Sequence, residues 1–219
     1  ILEQKVVLYH DKGNDLTVDS IDIILEQMFA KDERGLGGKK ATIIGAGNIG
    51  SKLALSLVER GVNVVITRRN ANNLRQVVRA LNLIKPDETL AKIKGFTDNI
   101  KASKNADIVI GLTSQRPVIG TRIISIVKES AILMDAGKGC FTPGAIKLAK
   151  KKGMAIYRPD VKVGVEGFSS SLFKTREVLE NTFGRKTFLE LSLVSGLVGN
   201  KDEIVVDNYK NPKVIYGIA

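Results

Sequence analysis

Short apolar runs alternate with longer amphipathic stretches over most of this chain. The runs hold three to six residues each, which is typical of buried strands, and they lie at 41–44, 62–66, 107–112, 131–134 and 155–157. Between them, apolar residues recur with helical spacing. This spacing predicts helices at 51–60, 71–83, 121–128 and 143–152. The alternation favours an α/β fold, a doubly wound parallel sheet with helices on both faces.

The two ends of the chain depart from this alternation. Before residue 39, the pattern predicts a short strand at 5–9 and a helix at 18–30. Toward the other end, a glycine-bearing loop at 163–168 precedes a predicted helix at 169–183, and 201–219 predicts two short strands. We therefore expect a lead-in segment, a Rossmann domain and a C-terminal extension, at 1–38, 39–183 and 184–219.

A glycine turn links the first run to the helix after it. Gly45, Gly47 and Gly50 have the spacing G-x-G-x-x-G, with Asn48 and Ile49 between the second and third. In a strand–turn–helix setting this spacing indicates a dinucleotide site, where the helix N-terminus faces the pyrophosphate. We expect all five residues to contact the cofactor. The alternative is a structural turn in a domain that binds no nucleotide.

The end of the second strand bears on the identity of the nucleotide. An NAD site usually has a carboxylate there, which binds the ribose 2′-hydroxyl. Here the strand ends in Thr67, Arg68 and Arg69, with no carboxylate. A guanidinium binds a 2′-phosphate through charge-assisted hydrogen bonds, and a threonine hydroxyl can add another. The sequence therefore predicts NADP. The alternative is a pair of solvated arginines.

Polar residues also follow the later strands, at the edge where ligands bind in such sheets. Thr113 and Ser114 follow the run at 107–112, and Gly137 follows the run at 131–134, so we expect these three to contact the cofactor. Asp135 and Lys138 are the candidate catalytic residues. Lys138 could hold an anionic substrate or protonate an oxygen, and its alternative is a solvated loop lysine. Asp135 could instead orient its loop.

Composition narrows the function classes. The 219 residues carry a net charge of +11, which suits a polyanionic ligand. The basic residues are spread along the chain and do not alternate with aromatic residues, so we expect no nucleic-acid partner. A single cysteine, Cys140, excludes an internal disulfide and a cysteine-cluster metal site; we expect it to be a packing residue and expect no metal. Neither a membrane span nor a signal peptide is visible, which favours the cytoplasm.

Several motifs resemble known dehydrogenases. Thr67-Arg68-Arg69 resembles the NADP loop of shikimate dehydrogenases. The segment 106–114 resembles a strand shared by shikimate dehydrogenases, glutamyl-tRNA reductases and methylene-tetrahydrofolate dehydrogenases, and 132–137 resembles their following strand. The segment 164–167 is similar to the glycine loop beside the nicotinamide in the pterin enzymes. The resemblance implies an NADP-binding Rossmann domain of the amino-acid-dehydrogenase-like group, with Gly167 near the cofactor.

These motifs lead to three functional hypotheses. The preferred one is an NADP-dependent dehydrogenase of the methylene-tetrahydrofolate or tetrahydromethanopterin type, which transfers hydride to or from a small cyclic substrate. The second is a shikimate-like dehydrogenase, and the third is a nucleotide-binding regulatory or scaffolding domain without turnover. The related families carry a substrate lobe ahead of this domain, and only a short lead-in precedes it here. Strand-like pieces in the tail need partners, so we also expect a homodimer.

Overall fold

The computed structural model describes residues 13–114 and 116–219; the predicted strand at 5–9 lies outside them. The described part contains these helices and strands, in chain order: α1 Gly13–Phe29, β1 Lys40–Ile44, α2 Asn48–Glu59, β2 Asn63–Thr67, α3 Ala71–Ile84, β3 Ile93–Phe96, α4 Asn99–Ser103, β4 Ile108–Gly111, α5 Thr121–Ile126, β5 Ile132–Asp135, α6 Pro143–Lys151, β6 Ile156–Tyr157, α7 Val161–Thr182, β7 Gly184–Phe188, β8 Leu191–Ser195, β9 Ile204–Val206 and β10 Ile215–Ile218.

The first six strands form one parallel sheet in the order β3-β2-β1-β4-β5-β6. The chain builds outward from β1 to β3, and then returns to place β4 on the other side of β1. The carboxyl ends of β1 and β4 therefore lie at a topological switch point, where open α/β sheets bind ligands. This arrangement confirms the predicted doubly wound Rossmann fold.

Neighbouring residues of the strands point to opposite faces of the sheet, and both faces are buried. Ile43 packs in one apolar cluster with residues of α1, α2 and α3, whereas Ile44 packs in a second cluster with residues of α5 and α6. Ile110 and Val109 divide in the same way between the two clusters. Because both faces are covered, the inner strands β1, β2, β4 and β5 read as nearly continuous apolar runs in the sequence. The edge strand β3 does not, and only its Ile93 is buried.

Side chains that cap the helices explain where two of them begin. Asn70 accepts a hydrogen bond from the Asn73 N–H at 2.9 Å and starts α3 directly after the arginines of β2. Thr142 accepts from the Ala145 N–H at 3.1 Å and starts α6, with Pro143 in its first turn. Each cap satisfies an N–H that has no partner within the helix. The cap at Asn70 therefore fixes the point where the chain leaves the carboxyl edge of the sheet and enters α3.

The predicted glycine loop at 163–168 is wrong, because α7 runs through it as helix. Neither Gly164 nor Gly167 has a positive φ, so neither position requires the freedom that favours a glycine turn. The Gly164 N–H donates to the Ser20 hydroxyl oxygen at 3.0 Å, and a Cβ on Gly164 would lie 2.6 Å from the Leu16 carbonyl oxygen. Glycine there allows α7 to begin close against α1.

The last residues form a second, smaller sheet in the order β10-β9-β8-β7. The strands β9 and β10 confirm the prediction for 201–219, whereas β7 and β8 were not predicted. Glu203 is buried beside this sheet and pairs with Arg185, with 2.9 Å between Oε1 and Nε. By its contacts, the chain divides into two units between Val165 and Glu166. The predicted segment boundaries at residues 38 and 183 stay predictions.

Candidate dinucleotide site

The three glycines of the turn have three different physical roles. Gly45 has a φ of +118°, and a Cβ there would lie 2.7 Å from the Leu112 carbonyl oxygen. A Cβ on Gly50 would lie 2.2 Å from the Gly45 carbonyl oxygen, so helix α2 can approach the turn only without a side chain. A Cβ on Gly47 would point into open space. This open position is where a pyrophosphate can approach the backbone.

The N-terminus of α2 is open to an anion. Gly47 is the N-cap residue, and no side chain in the described part of the chain caps the helix there. The first-turn N–H groups and the positive end of the helix dipole therefore remain available to phosphate oxygens. The turn itself is fixed to β2, because the N–H groups of Gly45 and Ala46 donate to the Thr67 carbonyl oxygen at 3.3 and 2.8 Å. The residues present thus fit a bound dinucleotide.

Beside the turn lies a cleft of about 440 Å³ that carries three arginines. Arg68 and Arg69 line it from the end of β2, and Arg116 lines it from the loop after β4. The described residues of its lining include no carboxylate. The Arg68 guanidinium reaches back toward the turn, with 3.4 Å between its Nη1 and the Ala46 carbonyl oxygen. Thr67 also lines the cleft, although it is almost fully buried.

A second cleft of about 260 Å³ lies on the other side of the same turn. It joins the turn to the ends of β4 and β5, and both clefts share Gly45, Gly47 and Ser114. Its lining residues are Asn14, Gly45, Gly47, Asn48, Ile49, Gly50, Leu112, Ser114, Ala136 and Gly137. The two clefts form one groove across the carboxyl ends of the strands, which is suited to an elongated ligand.

The loops after β4 and β5 are packed closely together around Cys140. Its thiol donates to the Thr113 carbonyl oxygen at 3.3 Å, and the residue is fully buried. Burial is the main cause of the raised pKa of this thiol. A Cβ on Gly137 would lie 2.4 Å from the Thr113 carbonyl oxygen and 2.6 Å from the Cys140 Sγ. These contacts agree with the expectation that Cys140 is a packing residue.

The two candidate catalytic residues have different surroundings. The Asp135 carboxylate accepts hydrogen bonds from the N–H groups of Gly139 at 2.8 Å and Cys140 at 3.1 Å, so it orients the loop that follows β5. Lys138 is exposed, with a left-handed φ of 60°, and makes no hydrogen bond or ion pair with another described residue. The structure places neither in the lining of the two clefts. Their catalytic roles stay predictions.

Most of the sequence-predicted cofactor residues meet in the groove. Gly45, Gly47, Asn48, Ile49, Gly50, Thr67, Arg68, Arg69, Thr113, Ser114 and Gly137 all line one or both clefts. Gly167 does not belong to this group, because it lies within α7 in the second unit of the chain. The single histidine of the sequence, His10, lies outside the described residues.

Several polar residues that line the groove were not predicted from the sequence, among them Asn14, Thr97, Asn99 and Arg116. Asn14 reaches the groove from α1, where its side-chain amide donates to Asn48 Oδ1 at 3.2 Å. Asn99 and Arg116 line the larger cleft. Arg116 carried a detectable signal, because it lies in a polar loop at the end of a buried strand. Asn14 carried none, since only the packing of α1 on α2 brings it to the turn. Among the described residues, no group of His, Cys, Asp and Glu could hold a metal.

Comparison with protein families gives a match to the described core of the fold. Residues 40–128 match the family model "NADP oxidoreductase coenzyme F420-dependent". A glutamyl-tRNA reductase from Natronomonas pharaonis is 30% identical over 133 residues, which make up 60% of this chain and 27% of that protein. The chain thus spans about a quarter of the length of this relative.

Solved structures confirm the fold. Dipicolinate synthase from Bacillus halodurans aligns with a TM-score of 0.52 at 13% identity, covering 75% of this chain and 56% of that one. Dipicolinate synthase from Bacillus subtilis aligns with a TM-score of 0.51 at 15% identity, covering 81% of this chain and 59% of that one. No helix in the described ranges is long and apolar enough to cross a membrane.

The family match and the glutamyl-tRNA reductase similarity confirm the predicted resemblance to pyridine-nucleotide oxidoreductases. The family match covers the glycine turn, the two arginines after β2 and the end of β4. The chain therefore contains a Rossmann domain of the kind that binds NAD or NADP in dehydrogenases and reductases.

Proposed function

We propose that this chain is an NADP-dependent dehydrogenase or reductase that binds its cofactor along the groove. The observation that carries the proposal is the junction of three features at one edge of the sheet. A glycine turn leaves the α2 N-terminus open, a cleft with three arginines lies on one side of it, and the ends of β4 and β5 lie on the other. NADP is elongated and carries a 2′-phosphate at one end, a pyrophosphate in the middle and a nicotinamide at the other end. These three parts match the order of the three features along the groove.

In this proposal each part of the groove holds a different part of the cofactor. Arg68 and Arg69 bind the 2′-phosphate, because a guanidinium attracts a dianion where a carboxylate would repel it. The N-terminus of α2 faces the pyrophosphate. Ser114 and Gly137 lie where the nicotinamide would reach the substrate. The bound cofactor supplies or accepts the hydride, and the protein fixes its position and excludes water.

The substrate belongs to the same proposal. A small cyclic substrate of the methylene-tetrahydrofolate or tetrahydromethanopterin type is supported by the resemblance of the loops at 113–117 and 135–137. The third loop used for this subclass, at 164–167, is helical and gives no support. Lys138 is exposed and unpaired among the described residues, so its ammonium group is available to an anionic substrate.

Titration of NADPH and NADH against the wild type and Arg68→Ala tests the cofactor assignment. We expect the wild type to prefer NADPH, and we expect Arg68→Ala to weaken NADPH binding by about tenfold or more, because a hydrogen bond to a charged group contributes about 1.5–3 kcal/mol. Binding of NADH should stay within about twofold, since NADH lacks the 2′-phosphate. Isothermal titration calorimetry measures both ligands on the same protein.

The matched control is Arg79→Ala, which removes the same charge from an exposed position farther along α3. It should leave the affinities for both nucleotides unchanged. Equal affinity of the wild type for NADPH and NADH would contradict the arginine assignment. Absence of binding to either nucleotide would contradict the whole proposal and favour a scaffolding domain.

Turnover separates the enzyme from a non-catalytic NADP-binding domain. Absorbance at the reduced-nicotinamide band, followed with methylene-tetrahydropterins and with shikimate as substrates, reports hydride transfer directly. Oxidation of a methylene-tetrahydropterin supports the preferred subclass, and oxidation of shikimate supports the second. NADPH binding without turnover of any member of a broader carbonyl and alcohol panel would favour the regulatory function.

We also propose that the protein is a homodimer. The small sheet ends in β7 and β10, and β10 exposes the apolar side chains of Ile215, Tyr216 and Ile218. An exposed apolar edge strand is a template for pairing with another strand. Sedimentation equilibrium should give twice the mass of the chain, and a monomer at micromolar concentration would contradict this proposal.

A further inference from the structure

The loop after β5 is held by a chain of contacts that ends at the loop after β4. At its start, the Asp135 carboxylate binds the N–H groups of Gly139 and Cys140. Next, the Cys140 thiol donates to the Thr113 carbonyl oxygen at 3.3 Å. At its end, the Thr113 hydroxyl donates to the Arg116 carbonyl oxygen at 2.9 Å. The contacts therefore link both loops that line the β4–β5 side of the groove.

The backbone of the β5 loop needs this support. Lys138 and Gly139 are consecutive residues in the left-handed region, with φ values of 60° and 106°. For a residue other than glycine, this conformation costs about 1–2 kcal/mol. The Asp135 carboxylate spans the turn and binds the N–H groups on its far side, so it holds the loop in this conformation.

The loops after β4 and β5 are packed so closely that neither can shift without moving the other. The N–H groups of Ala136 and Gly137 both donate to the Gly111 carbonyl oxygen, at 3.0 and 2.9 Å. Gly111 is itself closed in, because a Cβ there would lie 2.5 Å from the Cys140 Cβ. A small shift of the β5 loop would therefore move the surface formed by Ser114, Ala136 and Gly137, which lines the smaller cleft.

We propose that Asp135 and Cys140 are positioning residues that set the shape of the nicotinamide end of the groove. In this role Asp135 acts through the backbone of the β5 loop and not as a proton donor or acceptor. Cys140 transmits the position of that loop to Thr113 and the loop after β4. This inference rests on the proposed function, and it assigns to Asp135 a role different from the catalytic one that its place in the sequence suggested.

The proposal separates the two ends of the cofactor. Loss of the Asp135 carboxylate should weaken binding at the end of the groove that is formed by the loops after β4 and β5. The other end, formed by the arginines after β2 and the glycine turn, should bind its ligand with unchanged affinity. Adenosine 2′,5′-bisphosphate probes the arginine end alone, because it carries the 2′-phosphate but no nicotinamide. NADPH probes both ends.

The experiment measures the affinities of both ligands for the wild type, Asp135→Ala and Asp135→Asn by isothermal titration calorimetry. For Asp135→Ala we expect the NADPH dissociation constant to rise about tenfold, because the loop would lose its support and would have to be ordered when NADPH binds. The constant for adenosine 2′,5′-bisphosphate should stay within about twofold. Asp135→Asn keeps one acceptor oxygen, so its effect on NADPH should be smaller.

Two further variants complete the test. Asp87→Ala removes the same charge from an exposed surface position and should leave both affinities unchanged. Cys140→Ser keeps a donor toward Thr113 and should affect NADPH less than Cys140→Ala. The Cys140 pair also keeps the proposal testable if Asp135→Ala does not fold, which circular dichroism would show.

The outcomes are distinct. A loss of affinity for NADPH alone in the Asp135 and Cys140 variants supports the positioning role. Equal losses for both ligands would show a general structural effect and overturn the proposal, as would unchanged affinities for both. If the wild type bound neither ligand, the proposed function itself would fail. If the wild type bound the bisphosphate and NADPH equally well, the cofactor site would stand, but the nicotinamide end would contribute nothing and this inference would be overturned.

Discussion

Two segments of this chain carry closely spaced glycines, and they differ in structure. In the segment 45–50, the glycines form a turn between β1 and α2, and Gly45 has a positive φ. In the segment 164–167, Gly164 and Gly167 are part of helix α7. The same residue type thus forms a tight turn in one place and allows close helix packing in the other. A glycine spacing is informative only together with the elements on either side of it.

The physical difference lies in what surrounds each segment. A buried strand precedes Gly45, and this strand must turn sharply to start a helix that packs back on the sheet. No strand leads directly into Gly164, which lies in the first turn of α7 between Val163 and Val165. The sequence 164–167 resembles a cofactor loop because its two glycines precede a predicted helix. Substitutions at these glycines therefore test whether the two segments have different roles.

The largest effect is expected for Gly50→Ala. A Cβ at this position would lie 2.2 Å from the Gly45 carbonyl oxygen, and this clash is with backbone, which cannot move aside as a flexible side chain could. We expect the free energy of unfolding to fall by about 3 kcal/mol, the upper end of the usual cost of overpacking. Urea denaturation followed by circular dichroism measures the change. An unchanged midpoint would show that α2 does not depend on close approach to the turn.

Gly47→Ala should separate binding from folding. The new Cβ would meet no protein atom within 4 Å, so the unfolding midpoint should stay the same. It would point toward the proposed pyrophosphate position, however, and we expect NADPH affinity to fall by about tenfold, or about 1.4 kcal/mol. Calorimetric titration measures this loss. Undiminished NADPH affinity would place the pyrophosphate elsewhere.

Gly164→Ala should act on folding alone. A Cβ there would lie 2.6 Å from both the Leu16 carbonyl oxygen and the Ser20 Oγ. Overpacking costs about 1–3 kcal/mol, and alanine regains about 1 kcal/mol of helix propensity over glycine. We expect a net loss of about 1 kcal/mol in urea denaturation. A strong loss of NADPH affinity at unchanged stability would restore the cofactor-loop hypothesis for this segment.

Gly167→Ala should give the smallest effect, with the opposite sign. Gly167 is exposed within α7, so alanine should stabilise the protein by about 0.5–1 kcal/mol through helix propensity. NADPH affinity should stay the same. Lower NADPH affinity for this variant would support the prediction that Gly167 contacts the cofactor.

Much of the Rossmann unit could be predicted because its signals are local. Each buried strand is a continuous apolar run, and the glycine turn follows its strand directly. The arginines at the end of β2 could be interpreted because the order of elements places that strand end beside the turn. The prediction of NADP in place of NAD still awaits the titration described above.

Other features depend on contacts between residues that are far apart in the chain. Asn14 reaches the groove only because α1 packs on α2, and Asp135 orients a loop only because the backbone beyond it turns back toward the carboxylate. Neither contact leaves a pattern in the sequence, since many side chains at these positions would give the same local periodicity.

The sequence alone is enough to predict the alternation of strands and helices, the glycine turn after β1 and the positive charge after β2. The tertiary structure decided that 164–167 is helical, that Asp135 holds the β5 loop and that Cys140 joins this loop to Thr113. The reason is physical. Periodicity and turn chemistry act over a few neighbouring residues, whereas close packing and hydrogen bonding between loops are settled only when the whole sheet has assembled.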